Sequence, residues 1–191
     1  MPVISGGQVI EGARRHRYQV SLGSPALGTT TAVHAAVTDT GAPVVVTTAI
    51  TNPPTPRNVT ATAGGTAGDI KAIAVTVAGT NAQGEAISEV LPVFTVDTAG
   101  TVVGSKAFAT VTSITIPAHD GTGATTAVGL GAKLGLPVRL ARNTVNNLYL
   151  AGVKEAASAV AVSASALESN TVTLTSALNA GAVVVDFDEA Y

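Results

Sequence analysis

The sequence predicts an all-β protein: a β-sandwich or jelly-roll-like module with an extended N-terminal arm and a C-terminal β region. Three observations carry this. Ile73, Val75 and Val77 alternate with Ala72, Ala74 and Thr76, and a period of two belongs to strands rather than helices. Turn-forming clusters recur at about the 8–12-residue spacing of a sandwich or barrel. Val and Thr, which favour a pleated and half-buried surface, dominate a chain that is 46% hydrophobic, 12% charged and 3% aromatic.

Residues 1–40 read as an extended basic arm. Arg14, Arg15, His16 and Arg17 form the one cationic cluster of the chain, and Gly23 to Thr40 carries no helical stripe and reads as extended, with a strand expected at Thr30–Val37. The sandwich module spans 41–138. It begins with a strand at Val44, followed by Pro53, Pro54 and Pro56. Three prolines cannot sit inside a sheet, so Asn52–Pro56 reads as a stiff connector into a strand at Arg57–Ala63. A glycine-rich turn over 64–68 leads into a long strand at Ile70–Gly79, and a turn at Asn81–Gly84 returns the chain along Glu85–Phe94. Pro92 gives that second strand an edge position or a bulge. Thr101–Ala109 and Val111–Ile116 read as two strands split by a bend at Ala109 and Thr110, and Ala124–Leu136 closes the module.

Residues 139–191 form the C-terminal β region. Leu140–Val153 fits a strand or a short helix, and Asn143, Asn146 and Asn147 favour the strand because asparagine is a poor helix former. Lys154–Ser158 reads as a helical turn. Ala159–Ala166, Thr171–Thr175 and Val183–Phe187 are extended, separated by Asn170, Asn179 and Gly181.

Composition excludes several classes. Ordinary globular chains are roughly a quarter charged, so this exterior is built mostly from Thr, Ser, Ala, Asn and Gly. Such a surface is poorly protected against association and suits a chain covered by neighbours; a stable extracellular β module fits the same composition. The formal net charge of −2 gives no basic field for nucleic acid. Cysteine is absent, which removes disulfides, thiolate catalysis and cysteine-bound zinc. The N-terminus shows no basic and apolar pattern of a signal peptide, and no apolar run approaches the ~18 residues of a membrane helix. These features give the expectation of a soluble protein made in the cytoplasm, with no membrane partner.

A search for chemistry finds no constellation. Ser24 lies in Leu-Gly-Ser-Pro rather than in a nucleophile elbow. Gly129–Gly135 has Leu134 where a dinucleotide loop needs its third glycine, and no Gly-Lys-Ser/Thr triplet. His16, His34 and His119 are scattered, so a zinc site is not expected. His119, beside Asp120, reads as a residue that fixes the loop after Pro117, with a pH-sensitive contact as the other reading. The acidic end, Asp186, Asp188 and Glu189, lacks the spacing of a calcium loop and reads as a solvated terminus or a partner for the basic arm. Glu85, Glu89, Asp97 and Asp120 fit turn or sheet-face roles, although sequence alone leaves glycosidase-type carboxylate pairs open. Phe94, Phe108 and Phe187 read as core fillers. No enzyme activity and no cofactor are expected.

Gly64–Ile73, Gly104–Ala124 (containing Lys-Ala-Phe and Ile-Pro-Ala-His-Asp), Leu134–Pro137 and Val162–Asn179 together resemble a virion structural protein of tailed bacteriophages. The resemblance covers roughly residues 57–185, and its most specific part is the stretch from Lys106 to Asp120. It implies a non-enzymatic virion component, placed in the virion after synthesis in the host cytoplasm. Such β modules are similar to capsid decoration (cement) proteins and also to tail or fibre proteins. The resemblance therefore implies contacts to the major capsid protein or other virion proteins, and a homo-oligomer, taken to be a trimer. The basic start lies outside the resemblance. Its expected role is partner binding through Arg14, Arg15 and Arg17, whose planar guanidinium groups suit an acidic neighbour, against the alternative of a solvated tail. Nucleic acid is disfavoured, because no aromatic stacking platform accompanies the basic run. The competing class, a surface adhesin or carbohydrate-binding module, predicts an exposed aromatic platform, which three Phe, three Tyr and no Trp disfavour.

Overall fold

In a computed structural model of the chain, residues 3–5, 8–10, 15–156 and 158–190 are described, with side chains over 17–156 and 158–188. In chain order, β1 (Val3–Ser5) pairs with β2 (Gln8–Ile10). Next come β3 (Arg15–Ser21), β4 (His34–Thr38), β5 (Val44–Val46) and β6 (Arg57–Gly65). A single 3-10 turn at Ala67–Asp69 precedes β7 (Thr76–Thr80) and β8 (Ala86–Val90). β9 (Gly100–Phe108), β10 (Thr110–Ile116) and β11 (Ala124–Gly135) complete the first part. β12 (Val145–Leu150), β13 (Val153–Lys154), β14 (Ser158–Ala161), a 3-10 turn at Leu167–Ser169, β15 (Thr171–Leu174) and β16 (Val183–Ala190) follow.

The protein is an all-β, sandwich-like fold. A four-stranded sheet in the order β5-β10-β7-β8 faces a six-stranded sheet in the order β14-β15-β11-β6-β9, with β4 added alongside β11. Between them lies the first core, filled by Val59 and Ala61 of β6, Val77 of β7, Ile114 and Ile116 of β10 and Val128 of β11, and closed by Phe94 and Phe108. The alternation read in the sequence is what supplies it, since Ile73, Val75 and Val77 all point inward. The bend at Ala109 is where the chain leaves one sheet for the other: β9 pairs with β6, whereas β10 pairs with β5 and β7.

A third sheet, β13-β12-β16-β3, encloses a second core of Leu148 and Leu150, Val172 and Leu174, Val183, Val185 and Phe187. β11 serves both cores. Its first half carries Val128 into the first, and its end, with Leu134 and Leu136, enters the second. One flank of β11 pairs with β6 from Ala124 to Leu134; the other is taken by β4 near Thr125–Val128 and by β15 at Leu134 and Gly135. At the surface, Arg139 meets Glu85 at 2.6 Å and ties the tip of the β7–β8 hairpin to the linker after β11.

The pairing differs from the sequence-based expectations at four places. The partition at residues 40 and 138 does not follow the sheets: β3, from the arm, is an edge strand of the third sheet, and β14 and β15 extend the sheet that holds β6 and β11. The reason is burial, because Leu22 and Val20 pack into the second core. The long strand expected at Ile70–Gly79 is regular only from Thr76. Before that, Ile70, Ile73 and Val75 accept from the N–H groups of Asp97, Phe94 and Leu91. Pro92 falls within this irregular stretch, which continues β8, the edge strand of its sheet. At the helical turn expected over Lys154–Ser158, the chain is extended at its start: Lys154 pairs with Tyr149, and Glu155 N–H donates to Leu148 O at 2.8 Å; Ala157 lies outside the described residues. Finally, Ala159–Ala166 is strand only as far as Ala161.

Candidate interaction surface

Strand β3 brings the basic start onto the acidic end. In register, Arg17 lies opposite Asp188 and Gln19 opposite Asp186. Arg17 Nε stands 3.9 Å from Asp188 Oδ1, Gln19 Nε2 donates to Asp186 Oδ1 at 2.9 Å, and the Tyr18 and Phe187 rings stack at 5.8 Å. A pair this exposed contributes little stability. The Arg17 side chain keeps 66% of its surface open to solvent, so its charge remains available outside the chain. Arg15 is opposite Ala190, with its side chain outside the described residues, and Arg14 lies outside them altogether. Of the two readings of the acidic end, the structure shows Asp186 and Asp188 as partners of the arm strand.

A second surface lies along one side of the sandwich, where edge strands β8 and β9 approach each other. Glu89 Oε1 accepts from Ser105 N–H at 2.7 Å and from Ser105 Oγ at 2.8 Å, and Oε2 accepts from Lys106 N–H at 3.2 Å. Lys106 Nζ donates to Ser88 O at 3.0 Å. One carboxylate thus occupies N–H groups that an incoming strand would need, and an inward-turned charge on an edge strand is a known protection against sheet-to-sheet pairing. Next to this sealed seam, Val90, Val93 and Val103 are 65%, 60% and 48% exposed. On the opposite edge of the four-stranded sheet, Val45 of β5 is 61% exposed. Valines displayed beside blocked backbone groups favour side-chain packing with a neighbour over strand addition.

Among the described residues no group of three or more His, Asp or Glu converges as a metal site would. His119 is placed as a loop anchor. Its ring is buried and stacks with Phe94 at 6.0 Å. Nδ1 accepts from Lys71 N–H at 3.2 Å, so Nε2 carries the proton and donates to Thr126 Oγ1 at 2.9 Å. The His119 N–H donates to Asp39 Oδ2 at 2.8 Å. Burial holds the ring's pKa below its ordinary 6.5, against the opposing pull of Asp39 and Asp120. The unfolded chain therefore takes up the proton first. The stability from this ring is fully present above pH 6.5 and is lost as pH falls from there through the lower folded-state value. Unfolding free energy measured from about pH 8 to about pH 5 is expected to decline toward acid. His119→Leu should flatten that decline while costing about 1–2 kcal/mol at the alkaline end. Equal slopes in both proteins would refute the assignment.

Sequence reading missed three buried polar residues that hold the scaffold of these surfaces. Arg57, 1% exposed, donates through Nε to Gly131 O at 2.8 Å, through Nη2 to the same oxygen, and through Nη1 to Ala26 O at 3.0 Å. Gly28 must be glycine for this approach, since a Cβ there would stand 1.9 Å from Leu130 O. Asn58 is fully buried between irregularities in both neighbouring strands, and Asn170 sits under the linker after β11. The available signal was a consecutive Arg-Asn at the head of a Val/Thr strand: polar residues at the start of a strand buried on both faces must find internal partners.

No known protein family, curated protein or solved structure matches the chain.

Proposed function

We propose that this chain is a non-enzymatic structural protein of a tailed-phage virion, a decoration (cement) protein on the outer face of the capsid. The observation that supports this reading best is the row of exposed valines beside a sealed strand edge. That geometry suits a closed ring of sister copies, with the Val90–Val103 side of one meeting the Val45 side of the next. A head-to-tail contact between two different faces closes into a ring when the rotation permits, and three copies are the expected number. The basic start contributes the second contact, with Arg14, Arg15 and Arg17 as the partners of acidic groups on the major capsid protein. Each interface is modest, and linkage of several in one ring multiplies their effect. Binding the assembled shell, and not its separated subunits, then stabilises the shell by mass action.

Light scattering coupled to size exclusion tests the ring. The unaltered chain is expected to run as a trimer. Val90→Glu with Val103→Glu is expected to run as a monomer whose melting temperature is nearly unchanged, since surface substitutions usually stay within about 0.5 kcal/mol. A monomer before substitution would remove the ring. Co-sedimentation with empty shells tests the anchor: Arg14, Arg15 and Arg17 all replaced by Ala should lower occupancy at least tenfold at physiological salt, and unchanged occupancy would remove the arm from the contact. Imaging of particles carrying a tagged copy distinguishes head from tail, and density confined below the neck would reassign the protein to the tail.

A further inference from the structure

Between the β14–β15 hairpin and the β9 side of the same sheet lies an open cleft of about 410 Å³. Clefts that hold small ligands run from roughly 300 to 1,000 Å³. Its floor is set by register. Ala159 lies opposite Thr173 and Ala161 opposite Thr171, so these four share one face of the hairpin and present two methyl groups beside two threonines. Ser169, Lys133 and Ser105 complete the lining, and Lys133 belongs to the strand adjacent to β15, next to the Leu134–Val172 pair.

Lys133 is the unusual member. The other lysines around the six-stranded and four-stranded sheets have carboxylate partners: Lys71 faces Asp120 at 3.1 Å and Lys106 faces Glu168 at 3.5 Å. Lys133 is half-buried as a residue, and its ammonium has no carboxylate or hydrogen-bond partner among the described residues. The two nearby acids are already engaged, Glu89 by Ser105 and Lys106 N–H groups and Glu168 by the Lys106 ammonium. The Lys133 backbone is fixed, because its N–H donates to Asn58 Oδ1 at 2.9 Å. The hydroxyls of Ser169, Thr171 and Thr173 also lack partners within the described chain. A cation without a partner gains from a charge that arrives with its own hydrogen-bonding groups.

We propose that this cleft binds an acidic sugar unit, with its carboxylate on the Lys133 ammonium and its ring hydroxyls on Ser169, Thr171 and Thr173. The apolar face of the sugar ring rests on Ala159 and Ala161. A bare carboxylate satisfies the cation and leaves three hydroxyls unmet; a neutral sugar does the reverse. The acidic sugar satisfies both. The proposal does not rest on the assembly role, since the cleft uses none of the residues assigned to ring or shell contacts.

Amide NMR of the full chain provides the test, with glucuronate, glucose and propionate as the three probes. Glucuronate is expected to shift the Lys133, Ser169, Thr171 and Thr173 signals with a Kd on the order of 1 mM. Glucose and propionate are expected to bind at least tenfold more weakly. Lys133→Met, which keeps the length of the side chain, should weaken glucuronate at least tenfold, and Thr173→Val should weaken it severalfold, both with unshifted melting temperatures. Glucuronate shifts that are absent, that glucose or propionate reproduces at equal concentration, or that survive Lys133→Met would each overturn the proposal.

Discussion

Replacing Asn170 by leucine is expected to lower the unfolding free energy in a urea titration by about 4 kcal/mol, near the upper end for a single substitution. The side chain is fully buried and every polar atom of its amide is used. Oδ1 accepts from Leu140 N–H and Ser163 N–H, each at 2.9 Å. Nδ2 donates to Ser163 O at 2.9 Å, Ala166 O at 2.8 Å and Leu167 O at 3.3 Å. Through these bonds one residue fixes the linker after β11, the loop after β14 and the 3-10 turn. Leucine matches the volume and leaves the Leu140 and Ser163 N–H groups and the Ser163 carbonyl without partners, whereas Ala166 O and Leu167 O keep the backbone N–H groups of Ser169 and Asn170; each such orphan costs about 1–3 kcal/mol. A midpoint unchanged within error would mean that water reaches the site, contrary to the burial seen here.

Asn58→Leu is expected to cost about 3 kcal/mol by the same measurement. Its amide donates to Gly104 O at 2.9 Å on one side and accepts from Lys133 N–H at 2.9 Å on the other. Both groups belong to irregular stretches. The β6–β9 register shifts between Asn58 and Thr60, and the β6–β11 register shifts between Leu130 and Leu134. A bulge leaves backbone groups without ladder partners, and here a single side chain supplies them in both neighbours at once. Gly131 belongs to the same arrangement, because a Cβ there would stand 2.3 Å from Asn58 Oδ1. The substitution should also disturb the Lys133 amide signal more than signals of β16, which a general loss of packing would not discriminate.

Most strands were legible, and for a local reason. Val44–Val46, Arg57–Gly65, Gly100–Phe108, Thr110–Ile116 and Ala124–Gly135 each announce themselves by β-branched residues between turn residues, and Phe94, Phe108 and Phe187 lie in the cores as read. Failures came where pairing overrode local preference. Lys154–Ser158 has helix-forming residues, yet Glu155 is held by its backbone bond to Leu148 and by Ser176 N–H at 2.8 Å from its carboxylate. The candidate surfaces were half legible. The basic cluster could be read directly, whereas the seam at Glu89 and the cleft beside Lys133 depend on which strands become neighbours and edges, and residue spacing carries no record of that.

The sequence by itself determined that this chain is β throughout, weakly charged and built to bury valine, because side-chain alternation and composition act within a few residues. Only the tertiary structure decided which strands meet. Gln19 and Asp186 are 167 positions apart, and they face each other because Val20 and Leu22 lose more water beside Val183, Val185 and Phe187 than an unpaired arm could. Closing such a distance is opposed by chain entropy and is favoured by contacts that exist only once the second core has formed.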